Sequence, residues 1–263
     1  MTKLKRTEGA GAVALLTVNF DAEAFDLKEA RPERLFGRYS YGRYAVRAGF
    51  PRLFELLGKH GVPATFFVPG ADARRHPELI RELVGGGHEI AARGIDLEDF
   101  AALGGQLSPR TLGHLAELGF SYDASFQDAD YPYVVGLGGE KLVELPSSFA
   151  LDDAPIYSAR HTHARLRAIW QDEIRAMHAE GTLIPLTLNL RGDFGSTRAA
   201  RIAVLDGLLA ELKELGGVRF MTCRELAEYT LSLNLPLEPD PYLAHAETLS
   251  KTVYRGDLAI KPL

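Results

Sequence analysis

Cysteine is almost missing from this chain, which has one, Cys223, in 263 residues. A lone thiol excludes an intrachain disulfide and a zinc site built from thiolates. Its setting in RFMTCREL reads as a buried, inert thiol at a strand end. Long apolar runs are missing as well: no stretch approaches the ~18 consecutive apolar residues of a membrane span. A surplus of basic charge is also lacking. Thirty Lys and Arg against 35 Asp and Glu give a net charge of −5, and the pI is near 5.9. A nucleic-acid surface needs a basic stripe, so that class is excluded. There is no internal repeat and no low-complexity tract. Lys3, Lys5 and Arg6 before the apolar run Ala10–Val18 imitate a short secretory leader. No small-residue cleavage site follows, and Asn19 and Asp21 interrupt the run. A first strand and a cytoplasmic protein are therefore expected.

What is present is an ordinary globular composition, 46% hydrophobic and 25% charged. The length suits one α/β barrel domain. The organising stretch is 64–94, ATFFVPGADARRHPELIRELVGGGHEIAARG. Ala64–Val68 is a short β-rich run closed by Pro69-Gly70. His76-Pro77-Glu78 opens a helix, with Pro at its first position and an acid in its first turn. Gly85-Gly86-Gly87 stops that helix, and His88–Ala92 returns as a strand. Strand, helix and strand in about thirty residues form a right-handed βαβ unit with parallel strands. Its chemistry belongs at the carboxyl ends of the strands, near Pro69 and Arg93.

Further strands are expected at Val13–Phe20, Ser121–Phe126, Lys141–Leu145, Leu183–Leu190 and Val218–Met221. Helices are expected at Phe50–His60, Ser108–Leu118, Ala164–Ala179, Arg198–Leu215 and Arg224–Leu231. Phe25–Tyr44 reads as a charged, aromatic loop, 127–140 as a turn-rich segment, and 233–263 as an irregular arm beyond a core of about 12–232. Trp170 lies on the apolar face of its helix and is assigned to the core.

These segments, in this order, resemble the polysaccharide deacetylase (NodB-like) family. The resemblance is carried by VNFDAEA at 18–24, by the stretch 39–94, and by LGFSYDASF at 118–126. It continues in VELPSSFALDDAPIY at 143–157 and LTLNLRGDFGSTRAARIAVLDGLLAEL at 186–212. It is closest to the branch with allantoinase-type, cyclic imide and peptidoglycan deacetylases. It implies a single α/β domain over 1–263, a distorted parallel (β/α) barrel of about seven strands or fewer. Only Gly94–Leu107 separates Arg93 from the next helix. The family places a helix, a strand and an Arg-x-Pro motif there, so one βα unit is expected to be missing.

The resemblance also assigns chemistry, and this chain departs from it. Asp21 takes the place of the family's catalytic base and Glu23 that of its metal carboxylate. The two metal histidines fall at 93 and 97, where this chain has Arg93 and Leu97. The histidine acid falls at 189, where it has Asn189. A guanidinium has no lone pair to offer a cation, and one carboxylate without imidazole does not hold zinc tightly. No metal and no other cofactor is therefore expected.

The other histidines do not restore the site. His88 is expected at the wrong end of its strand, His161 and His163 lack a third partner, and His60, His76, His114 and His178 read as ordinary. The expected constellation is Asp21, Glu23, Arg93 and Asn189 as catalytic groups, with Tyr41, Arg43, Asp96 and Arg191 toward substrate. It reads as a metal-independent hydrolase of non-peptide C–N bonds in a small amide, ureide or N-acetylated sugar. The alternative is an inactive deacetylase scaffold that binds a glycan or a protein partner, with Arg93 neutralising the acids. An ordinary metal-dependent deacetylase is disfavoured by the missing histidines. The branch implies a homo-oligomer, with the arm as its contact.

Overall fold

The computed structural model describes residues 11–27, 35–94 and 111–239. At its centre is strand β1 (Ala12–Asn19), all eight residues of which are buried. A strand buried on both faces is the mark of a parallel sheet covered on both sides. Along one edge β1 pairs in parallel with β7 (Leu183–Asn189), from Val13 opposite Leu183 to Asn19 opposite Asn189. Its other edge forks. The amino-terminal half, Ala12–Leu15, pairs with β8 (Val218–Met221), while Thr17–Asn19 pair with β2 (Thr65–Val68). Strand β3 (Glu89–Ala92) extends β2 in parallel.

Alternation along β1 divides the interior. Ala12, Ala14, Leu16 and Val18 point outward into the main core. There they meet helices α3 (Phe50–His60), α8 (His163–Glu180) and α9 (Ala199–Glu214). Leu53 and Leu57, Trp170, and Leu205 and Leu209 are their buried contributions. Val13 and Leu15 point inward, against a second sheet of β4 (Tyr122–Asp123), β6 (Glu140–Glu144), β5 (Tyr133–Leu137) and β9 (Leu237–Pro239). Val134, Val143 and Leu145 supply its side of that inner core.

The chain is thus α/β, with the parallel sheet and βαβ unit expected. Among the described strands no hydrogen-bonded ring closes, and the second sheet covers the inner face instead. Several segments differ from the sequence reading. Phe25–Tyr44 is not a loop throughout. It contains part of α1 (Glu23–Leu27) and all of α2 (Leu35–Tyr44), and a π-helical stretch, Ala45–Gly49, leads into α3. A short α4 (Gly70–Arg75) precedes α5 (Pro77–Gly85). The turn-rich segment contains β5, and the arm begins with β9, which pairs with β5. Helix α6 (Thr111–Glu117) is followed much later by α7 (Asp153–Ser158), and α10 (Cys223–Ser232) follows β8. The short interval after Arg93, with Asp96 and Leu97, lies outside the described residues, as does the arm beyond 239.

Candidate active site

Four strands end together. Asn19 closes β1, Asn189 closes β7, Val68 closes β2, and Arg93 follows β3. Parallel pairing forces this, because strands running the same way present their carboxyl ends on one side. The segment after β1 is pinned by Asp72, wholly buried on α4, whose oxygens accept from Ala22 N and Ala24 N, both at 2.9 Å. Burial raises the Asp72 carboxyl above its ordinary value, and those two N–H groups oppose the rise.

Arg93 is the centre of the site. Its Nε and Nη2 donate to the two oxygens of Asp21 at 2.7 and 2.8 Å, and its Nη1 donates to Asn19 Oδ1 at 2.7 Å. Asp21 is 1% exposed, while the Arg93 side chain keeps 23%. A hydrogen-bonded line continues inward. Asn19 Nδ2 donates to Asn189 Oδ1 at 3.1 Å, and Asn189 Nδ2 donates to Asp153 Oδ1 at 2.6 Å and Asp152 Oδ1 at 3.1 Å. The polarity of this line is fixed at its guanidinium end. Guanidinium can only donate, so Asn19 turns Oδ1 to it and Nδ2 to Asn189, and Asn189 in turn points Nδ2 at the acids. Asp153 is fully buried and also accepts from Asn189 N and Ser196 N. Burial pushes its carboxyl up to about 7 despite these donors. Gly195 allows the loop after β7 to fold back here, since a Cβ would collide with the Asn189 carbonyl oxygen.

A cavity of about 740 Å³ lies between the two sheets, and Asn19, Arg93, Asp152, Phe67, Tyr122 and Glu89 are among its walls. Asp21 is not among its lining residues; it lies behind Arg93. Tyr122 donates to Glu89 Oε1 at 2.8 Å, and burial raises its phenol, so it stays protonated.

The structure brings Asp21, Arg93 and Asn189 into one network, as the sequence reading grouped them. Glu23 instead faces His76, with Nε2 2.8 Å from Oε2. Tyr41 and Arg43 are exposed on α2 and do not line the cavity. Arg191 corrects the expectation of a substrate contact. It is wholly buried, paired with Asp26 and Asp193, and its guanidinium lies 4.5 Å from the Phe25 ring centroid. No part of it is left to meet a ligand. The reading missed Asn19, Asp72, Asp152 and Asp153. The adjacent acids of FALDDAP were the available signal for the last two.

A divalent metal does not fit this site. The guanidinium of Arg93, which has no lone pair to give, stands where the resemblance put a metal histidine, and Glu23 is engaged with His76. Among the described residues no three His, Cys, Asp or Glu side chains are placed to hold an ion.

The polysaccharide deacetylase family profile matches residues 39–113. A crystal structure from Mycobacterium smegmatis, to which the polysaccharide deacetylase name is provisionally attached, is 31% identical. It superposes with a TM-score of 0.80 over 90% of this chain and 96% of that one. The chain belongs to the polysaccharide deacetylase family. The peptidoglycan deacetylase of Helicobacter pylori is 23% identical over 258 residues, 74% of this chain and 88% of that protein. An allantoinase structure shares the fold at 21% identity and a TM-score of 0.75, covering 86% of this chain and 92% of that one. Among the described residues, no helix is long and apolar enough to cross a membrane.

Proposed function

We propose that this deacetylase-family chain is a metal-independent hydrolase of a non-peptide C–N bond, in a small amide, a ureide or an N-acetylated sugar. The observation that carries the reading is Arg93. Guanidinium has five N–H groups, and among the described residues three are used, on Asp21 and Asn19. The remaining two belong to a partly exposed side chain on the wall of a cavity. Fixed donors of this kind stabilise the oxyanion that forms when an acyl carbon is attacked, and one such donor is worth on the order of 100- to 1,000-fold in rate. Asp21 and Asn19 hold the charge in place beforehand, so little reorganisation accompanies the reaction. Asn189 cannot replace the family's histidine acid, because an amide does not exchange protons near neutral pH.

A reading without turnover is favoured by one fact: both oxygens of Asp21, in the family's base position, are occupied by Arg93. The two readings separate in one assay. Protein treated with a chelator is given allantoin, cyclic imides and N-acetylglucosamine oligomers, and released product is measured. Turnover of at least one is expected, with a loss of about 100-fold or more when Arg93→Met is combined with Asp21→Asn. The paired change avoids leaving Asp21 buried without its cation. Binding without product, or activity that needs added zinc, would overturn the metal-independent hydrolase.

A further inference from the structure

We infer that Asp152, not Asp21, is the carboxylate that activates water in this cavity; the inference rests on the hydrolase reading above. Asp21 faces away from the task. It is 1% exposed, lies behind Arg93, and has each oxygen held by a guanidinium N–H. Asp152 has the opposite setting. It is half-buried and lines the cavity with Arg93. Both hydrogen bonds it receives, from Ala154 N at 2.9 Å and Asn189 Nδ2 at 3.1 Å, fall on Oδ1. Among the described residues nothing else bonds to this carboxyl, which leaves Oδ2 for a ligand or a water. Its position is firm, because Asp152 caps the amino terminus of α7 and forms a bridge with Thr187 of β7. One wall of the cavity thus carries a positive donor and a carboxylate with a free oxygen, the two groups that attack on an acyl carbon requires.

The charges around Asp152 agree with a base. Burial raises its carboxyl above the ordinary value, as does the negative charge of Asp21, while Ala154 N–H, Asn189 and the charge of Arg93 oppose the rise. Asp153 is the other neighbouring acid. A raised carboxylate is a stronger base than an ordinary one and still ionises below the amine range.

In the reaction, water attacks the acyl carbon and a C–O bond forms as Asp152 takes the water's proton. The carbonyl electron pair moves to oxygen and is held by the two free N–H groups of Arg93. The pair returns, the C–N bond breaks, and Asp152 delivers its proton to the leaving nitrogen. One water is consumed, and an acid and an amine are released. Asp21 becomes a positioning residue that holds Arg93.

Two measurements test this. In turnover assays, Asp152→Asn is expected to lower kcat by on the order of 100-fold or more with KM within about threefold. Asp21→Asn is expected to lower kcat by less than Asp152→Asn does, through a loosened Arg93 that holds the oxyanion less well. A kcat within threefold of native for Asp152→Asn, or a larger kcat loss for Asp21→Asn, would overturn the assignment. The second measurement needs no substrate: a water-soluble carbodiimide with an amine near pH 5.5, read by peptide mass spectrometry. Modification at Asp152 and protection of Asp21 are expected, whereas the reverse pattern overturns the inference. A native protein that turns over nothing sinks the hydrolase reading alone. Labelling then decides by itself whether Asp152 is the carboxyl that serves the cavity.

Discussion

Arg191 and Arg93 carry the same charge at the same end of the sheet, and burial gives them different work. Arg191 is sealed between Asp26, Asp193 and two phenyl rings, Phe25 and Phe194. Removing it leaves Asp26, whose side chain is fully buried, to the half-exposed Arg38 at 3.9 Å. Breaking such a pair from one side costs roughly 3–5 kcal/mol, and in chains of this size each kcal/mol is worth about 2–4 °C of Tm. Arg191→Met is therefore expected to lower Tm by roughly 6–20 °C. Adding Asp26→Asn should restore part of that loss, because the buried charge is then gone. A double variant no more stable than the single one would show that Asp26 is not the partner that matters. At this scale the sequence was informative about identity and silent about partners. Arg93 and Asn189 stood out because they occupy places where the resembled family has histidine. Arg191 could not be told from a ligand-binding arginine, since Asp26 is distant in sequence and only the fold brings it to the guanidinium.

The elements that escaped the sequence reading are those whose reasons are tertiary. Strand β5 reads as turn because Gly136, Gly138 and Gly139 crowd its end. Gly138 and Gly139, at φ +62° and +118°, make the tight turn that sets β5 against β6. Strand β9 has three exposed residues and exists because β5 offers an edge. By contrast β1, β2, β3 and α3 follow directly from apolar periodicity and glycine or proline punctuation, and they stand within a residue of their expected bounds. The second sheet also contains a feature the alternation pattern conceals, the acid Glu144 at the inner end of β6. Its Oε1 accepts from Phe126 N, and its carboxyl faces that of Asp123. Burial, then the charge of Asp123, pushes the Glu144 carboxyl up to about 9. Between its ordinary value of 4.5 and about 9, the folded chain keeps a proton that the unfolded chain releases. Stability should therefore fall as pH rises through that window. Glu144→Gln keeps the acceptor for Phe126 and can donate to Asp123. It is expected to raise Tm at pH 8 by several degrees, on the order of 1–3 kcal/mol, and to leave it nearly unchanged at pH 4. An equal effect at both pH values would mean that packing, not the proton, is responsible.

Across the whole molecule, a sheet forked at β1 and a second sheet laid over its inner face enclose the cavity, with strand ends supplying polar groups at one side. The class of fold was legible, because parallel strands joined by helices allow few arrangements, and so was the sheet end at which Asp21, Arg93 and Asn189 gather. Which carboxylate reaches the cavity was not legible. Asp152 lines the cavity while Asp21 is buried against the Arg93 guanidinium, and no spacing encodes that. The same guanidinium governs how the molecule should respond to metal. It is anchored by Asp21 and Asn19, so a divalent ion entering there would meet a fixed positive charge. It would also have to part Glu23 from His76. A site that did bind zinc would reveal itself in stability: ion at 100 times its Kd adds about 2.7 kcal/mol, or roughly 5–10 °C of Tm. Tag-free protein is therefore expected to contain well under one equivalent of transition metal by elemental analysis. Its Tm should move by less than about 1 °C with EDTA or with a small excess of zinc. A stoichiometric metal content, or a zinc-dependent rise of several degrees reversed by chelator, would mean that Arg93 swings aside and that the ion takes its place.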